Sequence, residues 1–351
     1  MAYSAISKPS LYFNTKTYNG NGGTQSITGV GFQPDMVWLK KRNGTANHHI
    51  VDAVRGVGYY IYPNLTNAQG GNGTSLITAF GADGWTMNDG ADSNASGATG
   101  VGWAWKAGTG AGSSNTDGTI NTTYTSANTT AGFSISKYSG TGSAGTVGHG
   151  LGVAPEMIMV KRLNTADGWT LFNSYLGSND AYIYLNTNDA SSTANGGSLW
   201  NSTAPTSSVF SLNTNSAVNG SGSTYIAYCF ASKVGYSKFG KYIGNGSTDG
   251  TFVYTGFKPA FVICKKTDGA DDWFLLDNKR DIDNPANHWL MADSSGAEQT
   301  SPIFFDFLSN GFKNRGTGGG SNASGGTYIY MAFAEEPLVA NVGASIPATA
   351  R

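Results

Sequence analysis

Short apolar runs rich in Val, Ile, Phe, Tyr and Trp alternate along this chain with clusters of Gly, Asn, Asp and Ser. Such runs, bounded by turn residues, read as strands. Windows in which apolar residues recur at helical spacing over three turns are few, because prolines and scattered glycines interrupt them. The first third of the chain predicts eight short strands, near residues 11–18, 25–31, 35–42, 48–54, 58–63, 75–80, 84–88 and 99–106. Turn signals at this interval are those of a β-sandwich.

The pattern then recurs twice. It opens at Lys16, Lys137 and Lys241, and 18 residues on each copy has Pro34, Pro155 or Pro259 ahead of an apolar run. Another 18 residues lead to Asp52, Asn173 and Asp277. Each copy closes on a matching strand, Thr99–Trp105, Thr224–Phe230 or Thr327–Phe333, after an Asn/Ser/Gly segment that reads as flexible. A proline fits the head of a strand, where its missing N–H costs no ladder bond. The Lys/Arg pairs at 40–41, 161–162 and 265–266 fit strand exits into solvent. The expected fold is therefore all-β, with three tandem jelly-roll-like β-sandwich modules joined by Gly, Asn and Asp turns.

The boundaries follow from the repeat: an N-terminal segment 1–9, modules at 10–108, 132–234 and 235–336, a linker or arm at 109–131, and a C-terminal arm at 337–351. Each module is long enough for one small core. The first linker is almost wholly small and polar, so it is either flexible or a strand added to a neighbour. Modules two and three, lacking such a linker, are expected to pack rigidly. The asparagine or aspartate at 52, 173 and 277 is read as a turn cap bonding to backbone N–H groups.

Composition narrows the functions. With 21 basic against 22 acidic residues the net charge is −1, which gives no basic footprint for nucleic acid. Charged residues are only 12%, yet 39% hydrophobic residues supply cores, so the chain is expected to fold. No apolar stretch has membrane-spanning length, and the first residues carry no secretory signal, which implies synthesis in a cytoplasm. Cys229 and Cys264 each sit inside an apolar run and read as separate, buried, reduced thiols.

Residues 129–162, with Lys137-Tyr-Ser-Gly-Thr-Gly leading to Pro155-Glu-Met-Ile-Met-Val-Lys-Arg, resemble the Gly-rich repeated modules of virion structural proteins of tailed bacteriophages, notably of marine and cyanobacterial hosts. Gly31–Lys40, Val51–Gly56 and Gly102–Gly108 are similar to the same set. The resemblance covers all three modules and implies a structural role at the virion surface, as tail fibre, appendage or capsid decoration. It carries no catalytic residues, cofactor or metal site. Two departures stand out: Ala260 replaces the acidic residue after proline, and Asn173 replaces the aspartate.

Other candidate chemistry is sparse. His48, His49, His149 and His288 lack a nucleophile elbow, so no catalytic triad is expected. Acidic clusters occur at Asp83/Asp89/Asp92, Asp268/Asp271/Asp272 and Asp281/Asp283; the last alternates as Ca²⁺ ligands do but lacks an EF-hand's glycine and terminal glutamate. They read as structural. Tyr59, Tyr60, Tyr62, Tyr182, Tyr184 and Trp289 occupy matching places and are the candidates for core packing, subunit contact or sugar stacking. A lectin-like protein contacting host-surface polysaccharide is the alternative function, and a polysaccharide depolymerase a third. Partners would be further copies, as a homotrimer held by exchanged arms anchored through Leu338, Val339, Val342 and Ile346, and other virion proteins.

Overall fold

The computed structural model describes Ser4, residues 6–73, 76–88 and 93–337, with no side chains at 301–303. The chain is all-β, with strands paired antiparallel in several sheets. All eight strands expected in the first repeat are present, each shorter than expected and two of them shifted one residue past their expected ends, and Gly70–Gly71 adds a two-residue strand.

Each repeat builds the same four-stranded unit, in the order opening, closing, central, return. In the first these strands are Phe13–Asn19, Thr99–Trp105, Met36–Lys41 and His49–Asp52. In the second they are Phe133–Ser139, Thr224–Phe230, Met157–Arg162 and Trp169–Asn173. In the third they are Ser237–Ile243, Thr327–Pro337, Phe257–Lys266 and Trp273–Asp277. A smaller strand set covers one face of each unit, for example Gln25–Ile27, Ile77–Gly81 and Gly84–Met87 in the first repeat.

The other face explains why the central and closing strands are apolar at successive positions rather than at alternate ones. Val37, Leu39, Val51 and Ala104 point to a core private to the first repeat, together with Ile27, Trp85 and Met87. Met36, Trp38, Ile50, Trp103 and Trp105 point the opposite way. They meet Met159, Trp169, Leu171, Tyr228 and Phe230 of the second repeat and Phe261, Ile263, Trp273, Leu275 and Phe333 of the third, in one continuous cluster. Each repeat therefore has a private core and a share in a common one, which corrects the expectation of one small core per module. A sheet with two apolar faces needs cover on both sides, and exposing one of these large side chains would cost roughly 2–3 kcal/mol.

The linker is ordered. Thr122–Asn128 pairs along the outer edge of Phe133–Ser139, and Ile120 buries beside Val147 in the second repeat's private core. Asp35 fixes its start, accepting N–H bonds from Ala107, Thr109 and Gly110 at 2.7, 3.1 and 2.7 Å. Glu156 does the same for the second repeat's exit, accepting from Ser232 N–H at 2.8 Å. The acidic residue after proline thus clamps the chain where it leaves one repeat for the next. The third repeat has Ala260 at this position. At the other end of the chain, Ser4 and Ile6 are buried and Phe13 stacks on Phe333, so the first strand closes against the last.

Register corrects one anchor. Phe13, Phe133 and Ser237 stand opposite Trp105, Phe230 and Phe333, so Thr17, not Lys16, is the counterpart of Lys137 and Lys241. The spacing of 18 from Lys16 to Pro34 holds only because the first repeat's loop is one residue shorter and Lys16 lies one strand position earlier than Lys137 and Lys241. Of the arm 337–351, Pro337 ends the last closing strand, and residues 338–351, with Leu338, Val339, Val342 and Ile346, lie outside the described residues, as do Asp89 and Asp92.

Candidate functional site

The residues singled out by the repeat come together at the seams between repeats. Asp277, at the end of a return strand, accepts Arg280 Nε at 2.6 Å and, from the first repeat, Trp103 Nε1 at 2.9 Å. Arg280 lies 5.6 Å from the centroid of that same Trp103 ring, donates to Leu275 O at 2.9 Å, and reaches Glu298 at 3.0 Å. Glu298 is shared with Arg42 of the first repeat at 2.7 Å. Burial pulls the Arg280 guanidinium down, but Asp277 and Glu298 outweigh it and hold the group above its ordinary value. Burial likewise pushes Glu298 up, and the two arginines bring it below the usual carboxylate range.

The seam between the second and first repeats has the same plan with fewer charges. Asp52 accepts Arg55 Nε at 2.5 Å and the Tyr228 hydroxyl at 2.6 Å. Gln69 stands where Glu298 does, its N–H bonding Leu163 O at 2.8 Å as Glu298 N–H bonds Arg42 O at 2.8 Å. The buried Arg55 Nη1 consequently has no hydrogen-bond partner. At the third seam the set is Asn173, Leu176 and Met331, the last two buried or half-buried apolar groups. Asn173 Oδ1 accepts only Tyr175 N–H, at 2.9 Å, as the cap of a short turn. The asparagine at this position, an isolated departure in the sequence, is one member of a set of three that changes together.

Two further ties repeat around the ring. Trp169 Nε1 donates to Tyr62 O at 2.7 Å and Trp273 Nε1 to Tyr184 O at 2.9 Å. His48 takes the corresponding place, with Nε2 at 2.9 Å from Met291 O and Nδ1 accepting Trp38 Nε1 at 2.9 Å. Those two partners fix the proton on Nε2, and burial holds the ring neutral, far below its ordinary pKa. Lys40, Lys161 and Lys265 are fully buried, and their Nζ atoms donate to Ser295 O, Thr66 O and Asn188 O of the neighbouring repeat. Burial pushes Lys161 and Lys265 down to about 8. This corrects the reading of the Lys/Arg pairs as exits into solvent: the first member of each pair is a buried tie, and only the second is partly exposed.

The segments read as flexible hold the most fully bonded side chains of the repeat. Asn94, Asn219 and Asn322 are 0% exposed, five residues before each closing strand. Asn219 donates to Ser143 O and Asn213 O, both at 2.7 Å, and accepts Thr141 N–H at 2.8 Å; Asn94 and Asn322 repeat the pattern. The approach is so close that a Cβ on Gly20, Gly140 or Gly244 would lie 2.3, 2.4 or 2.3 Å from a carbonyl oxygen of this segment, which is why each opening strand ends at glycine. The constant offset of five was visible in the sequence, hidden by the assumption that Asn, Ser and Gly together mean mobility.

The remaining candidates are dispersed. Tyr60 and Tyr62 pack on each other and on His49, Tyr182 packs on Tyr184, and Trp289 lies between Phe274 and Phe304; Tyr59 is half-buried on a two-stranded ribbon. Asp281 accepts from Asn287 N–H and His288 N–H, both at 2.8 Å, and pairs with His288 Nδ1 at 2.5 Å; Asp83 caps Gly29 and Gly31. His149 is buried and bonded to backbone. Among the described residues no three His, Cys, Asp or Glu side chains gather as a metal-holding group, and no helix is long and apolar enough to cross a membrane. Cys229 and Cys264 are free and buried, the latter pushed up to about 12 by burial.

A family described as a domain of unknown function, DUF7483, matches residues 8–337, running across all three repeats as one unit. The chain belongs to this family. No curated protein and no solved structure matches it. The DUF7483 match begins just ahead of the first strand and ends at Pro337, the last residue of the final closing strand, so its limits are those of the interlocked ring.

Proposed function

We propose that this chain is a non-enzymatic structural protein of a tailed-phage particle surface, a tail fibre, appendage or capsid decoration protein whose repeats are jelly-roll-like two-sheet sandwiches. One observation carries the reading. Asp52, Asp277, Lys40, Lys161 and Lys265, at equivalent positions of the repeat, bind one repeat to the next at buried seams rather than lining one cleft. That is the arrangement expected of a rigid building block, and it agrees with the resemblance of the repeated Gly-rich motifs to virion proteins. Copies associate with each other, as a homotrimer, and with other particle proteins, and the site of residence is the virion surface.

The alternative, contact with host-surface polysaccharide, draws on the partly exposed Tyr59, Tyr60 and Tyr62. Stacking on sugar rings is a use such aromatics serve. Mass spectrometry of purified particles tests the main reading: many copies per virion are expected, and absence from the particle overturns it. A glycan array probed with the assembled protein separates the alternative, which requires hits that replacement of Tyr59 and Tyr60 by serine abolishes.

A further inference from the structure

The three opening strands stand at the outer edge of their four-stranded units, and among the described residues only Phe133–Ser139 is covered by a further strand. Phe133–Ser139 carries Thr122–Asn128 on its edge, a strand of small polar residues with Ile120 as its apolar anchor. Among the described residues no such strand lies on Ser237–Ile243. Its first half is closed locally, Ser237 N–H bonding Lys233 O at 3.0 Å and Phe239 N–H bonding Ser232 Oγ at 3.2 Å. The alternation of an antiparallel ladder then turns the N–H groups of Lys241 and Ile243 outward as well, and no described residue pairs with them.

Beside this edge runs a groove of about 350 Å³, lined by Lys238, Lys241, Phe252, Tyr254, Tyr330 and Tyr175 of the second repeat. Phe252 and Tyr254 along it are 43% and 49% exposed, and Ile243 at the end of the edge strand is 52% exposed. An uncovered strand edge with apolar flanks is a template for another strand.

We infer that the edge Phe239–Ile243 and its groove are the seat of a strand supplied by residues 338–351, the counterpart of Thr122–Asn128 in the second repeat. Three observations single out this occupant. The segment starts at Pro337, whose Cβ lies 3.3 Å from the Cβ position of Gly235, two residues ahead of the edge strand. Its 14 residues, 338 to 351, extend to roughly 46 Å at about 3.3 Å per residue, twice what a seven-residue strand needs. Its Leu338, Val339, Val342 and Ile346 are apolar side chains suited to cover the exposed Phe252 and Tyr254. The inference goes beyond the proposed assembly: the tail seats on its own chain, beside the point where it starts, and finishes the ring.

Hydrogen exchange of the full chain tests it. Protection of the amides of residues 338–351 at least tenfold above free-peptide rates is expected, together with protection of Lys241 and Ile243. Lys241→Pro removes an outward N–H without touching the ladder to the closing strand, and is expected to abolish the tail's protection while the shared core stays protected. Thr17→Pro, at the matching edge of the first repeat, is expected to leave it intact, and Phe252→Ser with Tyr254→Ser to weaken it without any backbone change. Free-peptide exchange of the tail in the parent chain overturns the inference. So does tail protection that survives both Lys241→Pro and the paired serine variant, or that is lost only in Thr17→Pro. Dilution tests the source: protection independent of concentration supports the chain's own tail, and protection that falls with the oligomer's molar mass overturns it. Either result leaves the particle assignment to be decided by its own measurement.

Discussion

The seam between the third and first repeats and the seam between the second and third occupy equivalent places and are built from opposite chemistry. The first holds two arginines, an aspartate and a glutamate around a tryptophan N–H. The second has Asn173, Leu176 and Met331 in the corresponding positions, with Ser191 and Thr267 where the other has Glu298 and Arg42. Both seams are buried. A charge taken out of water is tolerable only if its partners come with it, so these positions exchange as a set or not at all. The middle seam, with Asp52, Arg55, Tyr228 and Gln69, shows the intermediate: the ion pair is kept, the outer glutamate is gone, and one guanidinium nitrogen is left without a partner.

The sharpest way to break this comparison is to remove one member of the charged set. Arg280→Leu leaves Asp277 and Glu298 buried without their cation and is expected to cost about 3–5 kcal/mol in urea unfolding. Transplanting the apolar set should cost far less than its parts. Asp52→Asn, Arg55→Leu and Tyr228→Met together are expected to fall within about 2 kcal/mol of the parent, whereas Arg55→Leu alone loses about 3 or more. A triple variant less stable than Arg55→Leu would show that the sets are not interchangeable.

A subtler contrast lies one turn away. Asn64, Asn186 and Asp293 accept the N–H of His48, Trp169 and Trp273 at matching positions, two amides and one acid. Burial, reinforced by neighbouring Asp272, pushes the Asp293 carboxyl up to about 7 from 3.8. A carboxyl whose folded pKa is raised holds its proton more tightly in the native state, so its stabilisation is complete below about pH 4 and is lost as pH rises through 7. Asp293→Asn is therefore expected to raise stability by about 1–2 kcal/mol at pH 8 and to change little at pH 4. Thermal melts at the two pH values check it. The smallest effect sharpens the middle seam: Gln69→Glu offers Arg55 Nη1 an acceptor and is expected to add about 0.5–1 kcal/mol. An unchanged denaturation midpoint would mean that the side chain does not reach it.

Much of the strand layout was legible, because turn residues and apolar runs are local signals, and the eight strands of the first repeat fall where those signals put them. The repeat anchors at 34, 52, 155, 173, 259 and 277 were legible for the same reason. What the chain does with them was not. Trp103 and Asp277 are 174 residues apart, as Tyr228 and Asp52 are 176, and nothing in a local window says which repeat covers a sheet's second face. Lys40, Lys161 and Lys265 misled because a charge at the end of an apolar run ordinarily marks its arrival in solvent, whereas here it marks the neighbouring repeat's carbonyl groups. The Lys16 anchor misled because a lysine one position out of register, ahead of a loop one residue shorter, shows the same spacing as one in register.

Differential scanning calorimetry of the full chain tests most directly the claim that the three repeats are one body around a shared core. The account predicts a single transition whose calorimetric and van't Hoff enthalpies agree, shifted as a whole by Arg280→Leu. Two or three resolved transitions, with only one of them moved by that substitution, would contradict it.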